Sequence, residues 1–439
     1  MIIKRAAIIL AIGLLVTTIP HTYSCELAGE QIVKKVFPNG MRVMVKEKED
    51  IDQVILLAMI GTGSANENEE NNGVSHFLEH MIFRGTDRIE EYGLFKEIGK
   101  VGGQANAFTS FEMTGYFTLV PSENFDLGLR LLTESLLNPA FEPEAIEKER
   151  GIILEELAMA REDTPTGELF TVLLENAFPN HPYGKHVVGT RETVNSIDRE
   201  MISSYYSRYY APNNAIFVIM GGVDSEKVLP KVYESFKDWG KKGIPERELP
   251  TIKIENKEEV TKTRKGIKEA YLSIGYVVPG CDKSSQYPLE LLSFILGSGK
   301  SSRLYQALVA EGLASNVYAG MSGTKGQQLL MITATCDQED IPKVEKTINK
   351  EIRSLAKKGV TEDELKKARN TYKASLAMSA QSLMIDAVTV AMYETLHKIG
   401  PEEYLAELGS ITAKEVQKAA KDNLNKGYVI VSLIPGGNK

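Results

Sequence analysis

The sequence predicts a mixed α/β chain of two similar halves, on three observations. Runs with strand periodicity and helix periodicity alternate along the chain, the order strand, polar loop, helix occurs twice, and a polar, proline-bearing stretch separates the two occurrences. A length of 439 residues agrees, being roughly three times the common size of one compact domain.

Residues 1–24 are set apart from the fold. Lys4 and Arg5, an apolar run over 6–16 and the close Thr22-Tyr23-Ser24 follow the order of a secretory signal. The chain is therefore expected to be exported, to the periplasm or cell envelope. Cys25 stands where a lipid-accepting cysteine follows such a signal, although Thr22 and Tyr23 make a poor lipid-attachment motif; an uncleaved N-terminal membrane anchor is the competing reading.

The first half spans 26–238. Residues 33–48 carry two alternating runs about Pro38-Asn39-Gly40, the mark of a hairpin. The near-continuous apolar run 53–60 reads as a central strand, and 113–120 and 215–220 as further strands. Helical spacing appears at 73–83, 92–98, 125–136 and 145–160. The stretch 239–265, polar and containing Pro245 and Pro250, reads as a linker. In the second half, 266–439, strands are expected at 270–278, 329–335 and 428–433, and helices at 287–296, 341–357 and 362–378. Residues 54–80 and 270–296 share one element order, which points to an internal duplication of about 200 residues per copy.

Composition removes several function classes. Charged residues make up 25% and hydrophobic ones 43%, the balance of a chain that buries a core. The net charge of −8, from 51 basic and 59 acidic residues, gives no general electrostatic grip on nucleic acid. Without Lys4 and Arg5 it is −10. After the N-terminal segment no apolar run approaches the roughly 20 residues that span a bilayer. Three cysteines make no disulfide scaffold; Cys281 and Cys336 are expected as two free thiols, with a single bridge as the alternative in an oxidising compartment.

The pentad His76-Phe77-Leu78-Glu79-His80 carries the chemistry. A helix advances about 100° per residue, so His76 and His80 stack on one face, where two imidazoles hold one metal ion. Glu79 lies on the same face, offset in angle, as suits a carboxylate that works on the metal's water. H-x-x-E-H is the inverted zincin order, and imidazole and carboxylate donors with an open fourth position suit Zn²⁺. Two histidines four apart on an amphipathic helix can equally be plain core or surface residues; the glutamate between them, in a chain of six histidines, favours a site.

A third ligand is needed, and 142–157 offers several carboxylates on a helix-forming stretch opened by Pro143. Glu149 and Glu156 are two turns apart and lie within roughly 20° of each other, whereas Glu155 points about 120° away from Glu149. One face therefore carries Glu149 and Glu156. The alternative, an acidic solvent face, predicts both as exposed as Glu147.

Four segments in order, HFLEHMIFRGT at 76–86, GGQANAFTSFEMTGYF at 102–117, ERGIILEEL at 149–157 and YYAPNNAIFVIMGGVD at 209–224, resemble the pitrilysin/insulinase family of zinc peptidases, in particular its short bacterial branch, similar to mitochondrial processing peptidase. The resemblance spans nearly all of the chain beyond the leader. It implies an α+β fold of two homologous α/β domains, each a mainly antiparallel sheet backed by helices, that form half of a clamshell chamber, with the second domain lacking the metal motif. It implies Zn²⁺ held by His76, His80 and Glu156, Glu79 as general base, and Glu149 as a support of the site. It also implies a substrate edge at Asn106, Ala107, Phe108 and Thr109, to which a peptide adds as another strand.

One departure bears on partners. Family members that work alone usually carry an Arg and a Tyr, seven apart, in the second domain, where they stabilise the oxyanion. Here Val309 and Ser315 stand in the best register for them. Such donors are worth about 3 to 4 kcal/mol, so the expectation is a zinc endopeptidase that cuts peptides or unfolded segments with a homologous partner subunit supplying the Arg and Tyr. That makes a heterodimer, with a homodimer as second choice. The alternative is a non-catalytic scaffold or peptide-binding subunit of the same family. Nucleotide binding is not expected: Gly299-Lys300-Ser301 resembles the end of a phosphate-binding loop, but Phe294 stands where that loop needs glycine.

Overall fold

The computed structural model describes residues 32–162, 164–281 and 283–436, so the expectations for 1–24 and Cys25 lie outside the described residues. The strands are β1 (Ile32–Val36), β2 (Arg42–Glu47), β3 (Gln53–Ile60), β4 (Gln104–Thr109), β5 (Thr114–Pro121), β6 (Ala215–Gly221), β7 (Glu258–Arg264), β8 (Ala270–Val278), β9 (Asn316–Met321), β10 (Gln328–Cys336) and β11 (Val429–Pro435). The helices are α1 (Val74–Ile82), α2 (Gly93–Lys100), α3 (Phe125–Leu137), α4 (Pro143–Glu162), α5 (Pro165–Ala177), α6 (Arg191–Ser196), α7 (Arg199–Tyr209), α8 (Ser225–Phe236), α9 (Lys283–Gly297), α10 (Ile341–Lys358), α11 (Glu362–Ser379), α12 (Leu383–Leu396), α13 (Pro401–Ser410) and α14 (Ala413–Asn423).

They form two compact units, Met1–Leu157 with Lys185–Glu248 and Ala377–Lys398, and Ala158–Gly184 with Leu249–Leu376 and Ile399–Lys439. The first unit holds a six-stranded sheet in the order β1-β2-β6-β3-β5-β4. The second holds five strands in the order β7-β11-β8-β10-β9. Setting β1 aside, both sheets repeat one arrangement: the first and fifth strands of each copy pair in parallel, and every other pair is antiparallel. Shared strand order and shared pairing sense support the duplication that element order suggested.

The sequence of β3 explains its central place. Val54, Leu56, Ala58 and Ile60 point to one face, where Phe77, Leu78 and Met81 of α1 and Leu129, Leu132 and Leu136 of α3 join them in one core. Ile55, Leu57 and Met59 point to the other face, against Ala387, Val388, Val390 and Ala391 of α12. A strand covered on both sides has no polar face, hence the unbroken apolar run. The helix on that second face comes from the far half of the sequence. In the second unit the equivalent service is done by α5, from the first half, which packs on β8 and β11. The linker reading drew the halves as contiguous stretches; the compact units instead exchange one helix each.

The polar stretch 239–265 also holds a strand, β7, which the linker reading missed. Among the described strands β7 pairs only with β11, at the rim of its sheet, and most of its side chains are exposed, so it needs no apolar alternation. Among the described residues Cys281 and Cys336 form no disulfide, and Cys281 donates to the carbonyl of Thr324 at 3.3 Å. Among the described residues no helix is long and apolar enough to cross a membrane.

Two acids fasten α12 to the first sheet. Lys46 and Lys48 each approach Asp386 at 3.0 Å, and Lys34 and Arg42 reach Glu394 at 3.3 and 2.9 Å. Asp386, Lys46 and Lys48 are all buried. Asp386→Ala would leave two ammonium groups without their carboxylate, so it is expected to lower the unfolding free energy by about 3 kcal/mol in urea titration. A change under about 0.5 kcal/mol would show that the pairs contribute nothing.

Candidate metal centre

The nine residues of α1 start after Gly73, whose left-handed backbone (φ 98°) a side chain would strain, and they turn Phe77, Leu78 and Met81 into the core. The opposite face carries His76 and His80. α4 supplies the acids, and burial follows the expected rotation: Glu149 is 3% exposed and Glu156 is half-buried, whereas Glu147 and Glu155 are exposed. The solvent-face alternative does not produce that difference.

His76, His80 and Glu156 each offer one ligand atom, and the three atoms lie within 4.8 Å of one another. Nε2 of His80 stands 3.3 Å and Nε2 of His76 3.8 Å from Oε2 of Glu156. Bonds of about 2.0–2.1 Å at tetrahedral angles put neighbouring ligand atoms about 3.3–3.4 Å apart. The donor set and spacing thus fit a zinc-sized ion with small movements. Tautomer and charge fit as well. Nδ1 of His80 donates to Oε2 of Glu149 at 2.7 Å, so Nε2 is the ring nitrogen turned toward Glu156. Burial, with the neighbouring His80, holds His76 down to about 3 against the opposing pull of Glu156, so its ring is neutral in ordinary buffers. The other ring nitrogen of His76, Nδ1, is buried without a hydrogen-bond partner among the described residues.

Glu79 lies near enough to His80 and Glu156 to interact with the charge of each. Its Oε2 accepts from the hydroxyl of Thr109, at the end of β4, at 2.6 Å. Burial raises its carboxyl above the ordinary 4.5, with a smaller push from the neighbouring Glu156; the charge interaction with His80 and the hydrogen bond from Thr109 only partly offset that. β4 is the rim of its sheet and pairs with β5 alone among the described strands. Asn106 and Gln104 are exposed on it, and the backbone N–H of Ala107 donates to the side chain of Asn106 at 2.9 Å. Thr109 thus faces Glu79, while Asn106, Ala107 and Phe108 form the strand leading to it.

Sequence reasoning missed the support behind Glu149. The Arg84 guanidinium pairs with Oε1 of Glu149, bonds Glu91 at 2.8 Å and lies 3.9 Å from the ring centre of Tyr92, whose hydroxyl donates to Glu149 at 3.4 Å. Tyr92 holds a left-handed backbone (φ 61°), a conformation a bulky residue keeps only when its surroundings require it. A signal for Arg84 existed, since it follows His80 by four residues, just past the end of α1. Tyr92 gave none.

Residues 42–191 match the family described as Insulinase (Peptidase family M16), and residues 196–372 match the Peptidase M16 inactive domain. A Bacillus subtilis protein named uncharacterized zinc protease YmxG is 29% identical over 407 residues, covering 91% of this chain and 97% of its own. Among solved structures, a protease from Helicobacter pylori superposes with a TM-score of 0.85 at 25% identity, over 92% of this chain and all of that one. The periplasmic protease PqqL from Escherichia coli superposes at 0.76 and 21% identity, but 92% of this chain covers 47% of that protein, about half its length.

Proposed function

The chain belongs to the insulinase family of peptidases, M16, and on that basis we propose that it is a zinc-dependent endopeptidase acting on peptides or unfolded segments. The observation that carries this reading is the convergence of His76, His80 and Glu156, with Glu79 near enough to His80 and Glu156 to interact with the charge of each. His76, His80 and Glu156 would hold the ion through the two Nε2 atoms and one carboxylate oxygen. Bound zinc supplies a Lewis acid that makes water more acidic and polarises a carbonyl. Glu79 takes the proton from the attacking water: one of its oxygens is tied to Thr109, which leaves Oε1 to receive the proton and pass it to the leaving amine. The rim of β4 holds the peptide extended through main-chain hydrogen bonds, which read backbone more than side chain.

Division of labour with a homologous partner belongs to the same proposal. Val309 and Ser315 offer neither a guanidinium nor a phenol to a developing oxyanion. The charge, apolar run and small residues of 1–24 support export. The deciding experiment is zinc analysis of the purified full chain, with cleavage of a quenched peptide measured alone and with a homologous chain that carries the Arg and Tyr. Zinc bound, with cleavage arriving on addition of that partner, is the expected result. A folded chain without zinc overturns the enzyme reading, and full activity of the chain alone overturns the division of labour. Fractionation of the producing cells tests export.

Two further outcomes follow. An ionised Glu79 is required and its carboxyl titrates above 4.5, so kcat/KM is expected to fall as pH is lowered through a limb above that value. Thr109→Val removes a donor to a charged acceptor, worth about 1.5–3 kcal/mol, so kcat drops by about tenfold or more with KM nearly unchanged, and Thr109→Ser restores it. A rise in KM alone would make Thr109 a substrate contact instead.

A further inference from the structure

A buried acid stands at the N-terminal end of the helix that carries His76 and His80, and no step above uses it. Glu67 is 6% exposed. Its Oε2 accepts from the backbone N–H of Gly73 at 2.7 Å and from the side-chain amide of Asn72 at 2.9 Å, and its Oε1 accepts from the backbone N–H of Ser75 at 2.8 Å. The first turn of a helix leaves amide donors without intrahelical partners, and Gly73 has no side chain to cap them, so a residue six positions upstream does so. No lysine, arginine or histidine among the described residues pairs with Glu67. Burial pushes its carboxyl up to about 7 against the pull of the donors at Gly73, Ser75 and Asn72. A neutral cap on the surface would satisfy the same amides without that desolvation, so the placement calls for a reason beyond helix stability.

The surrounding bonds give one. Oγ of Ser75 donates to the hydroxyl of Tyr205 at 2.7 Å, and that hydroxyl bonds the carbonyl of Gly63 at 3.0 Å and lies 2.8 Å from Oγ1 of Thr62. Asn72 also donates to the carbonyl of His186 at 3.2 Å, and a Cβ on Gly73 would meet the carbonyl oxygen of Val188 at 2.5 Å. The first turn of α1 is therefore gripped from several sides, and Ser75 immediately precedes His76. A side-chain tip stands about 6 Å from a helix axis, so a turn of about 20° displaces it by about 2 Å. Metal ligation tolerates about 0.2 Å.

We propose that Glu67 is a positioning residue of the metal centre: its carboxylate, with the hydroxyl of Tyr205, fixes the rotation of α1 that brings His76 and His80 to Glu156. This inference rests on the metal-centre reading above.

The test compares the full-length wild-type chain with Glu67→Gln and Tyr205→Phe. The first substitution turns an amide donor toward one of the backbone N–H groups, and the second removes the hydroxyl that holds Ser75. The zinc dissociation constant, read by chelator competition, is expected to rise about 10–100-fold in E67Q and by less in Y205F. The visible absorption bands of the Co²⁺-substituted protein shift in both, a change in ligand geometry that a purely stabilising cap would not produce. Wild-type affinity and a wild-type cobalt spectrum in folded E67Q overturn the proposal. If E67Q does not fold, the same two results in Y205F overturn it. A folded wild-type chain that binds no zinc sinks the metal-centre reading itself, and this inference with it; wild-type binding with unaltered variants sinks the inference alone.

Discussion

Glu79→Gln is expected to lower kcat by about 10²- to 10⁴-fold in the active assembly, the usual worth of a positioned acid–base group, while the chain keeps its zinc. The substitution preserves volume, and Oε1 of the glutamine can still accept the Thr109 hydroxyl that now reaches Glu79 at 2.6 Å. What it removes is a basic oxygen with a raised proton affinity, the property that burial gives this carboxyl. The ligand atoms of His76, His80 and Glu156 are untouched, so metal content separates this outcome from collapse of the site. Zinc-loaded E79Q that turns over peptide at the wild-type rate would remove Glu79 from the mechanism.

Glu149→Ala combines two losses in one substitution. The Nδ1–H of His80 loses its acceptor, which frees the ring to rotate and lowers the basicity of Nε2; an effect of about 10–100-fold on zinc affinity is expected. The Arg84 guanidinium, whose side chain is 3% exposed, loses the carboxylate against which it is buried, at a cost of about 3–5 kcal/mol in the unfolding free energy. A double substitution divides these effects. Arg84→Ala together with E149A also removes the buried cation that lost this carboxylate, so most of the stability returns while the zinc affinity stays low. Chemical denaturation of the metal-free proteins and chelator competition of the loaded ones give the two readouts. Wild-type zinc affinity in E149A would reduce Glu149 to a structural ion pair.

The parts of this site legible in the sequence are those whose geometry one helix fixes. His76 and His80 share a face by their spacing of four, and Glu149 and Glu156 by their spacing of seven, before any partner is known. The resemblance supplied the edge strand and the roles; spacing did not. Glu67 was illegible because its acceptors meet amides that belong to the turn of α1, and the residues 67–73 show no period. Tyr92 was illegible because its place depends on a left-handed backbone that few sequences announce. The hydrogen bond from Thr109 to Glu79 joins a strand end to a helix 30 residues away, and neither residue's local pattern contains the other.

The same division runs through the fold. Local periodicity determined five of the six described strands and four of the eight described helices of the first half, the hairpin at its start and the recurrence of one element order in the second half. It also determined that one helix face carries two imidazoles and another two inward acids. Tertiary structure alone decided that α12 closes over β3, more than 300 residues upstream, that a polar run becomes β7 by pairing with β11, and that Arg84 and Tyr92 back the acid behind His80. The reason is physical: a helix or a strand fixes its own faces through bonds between near neighbours, whereas the partner each face buries is chosen by burial and pairing across long stretches of chain, which no local window contains.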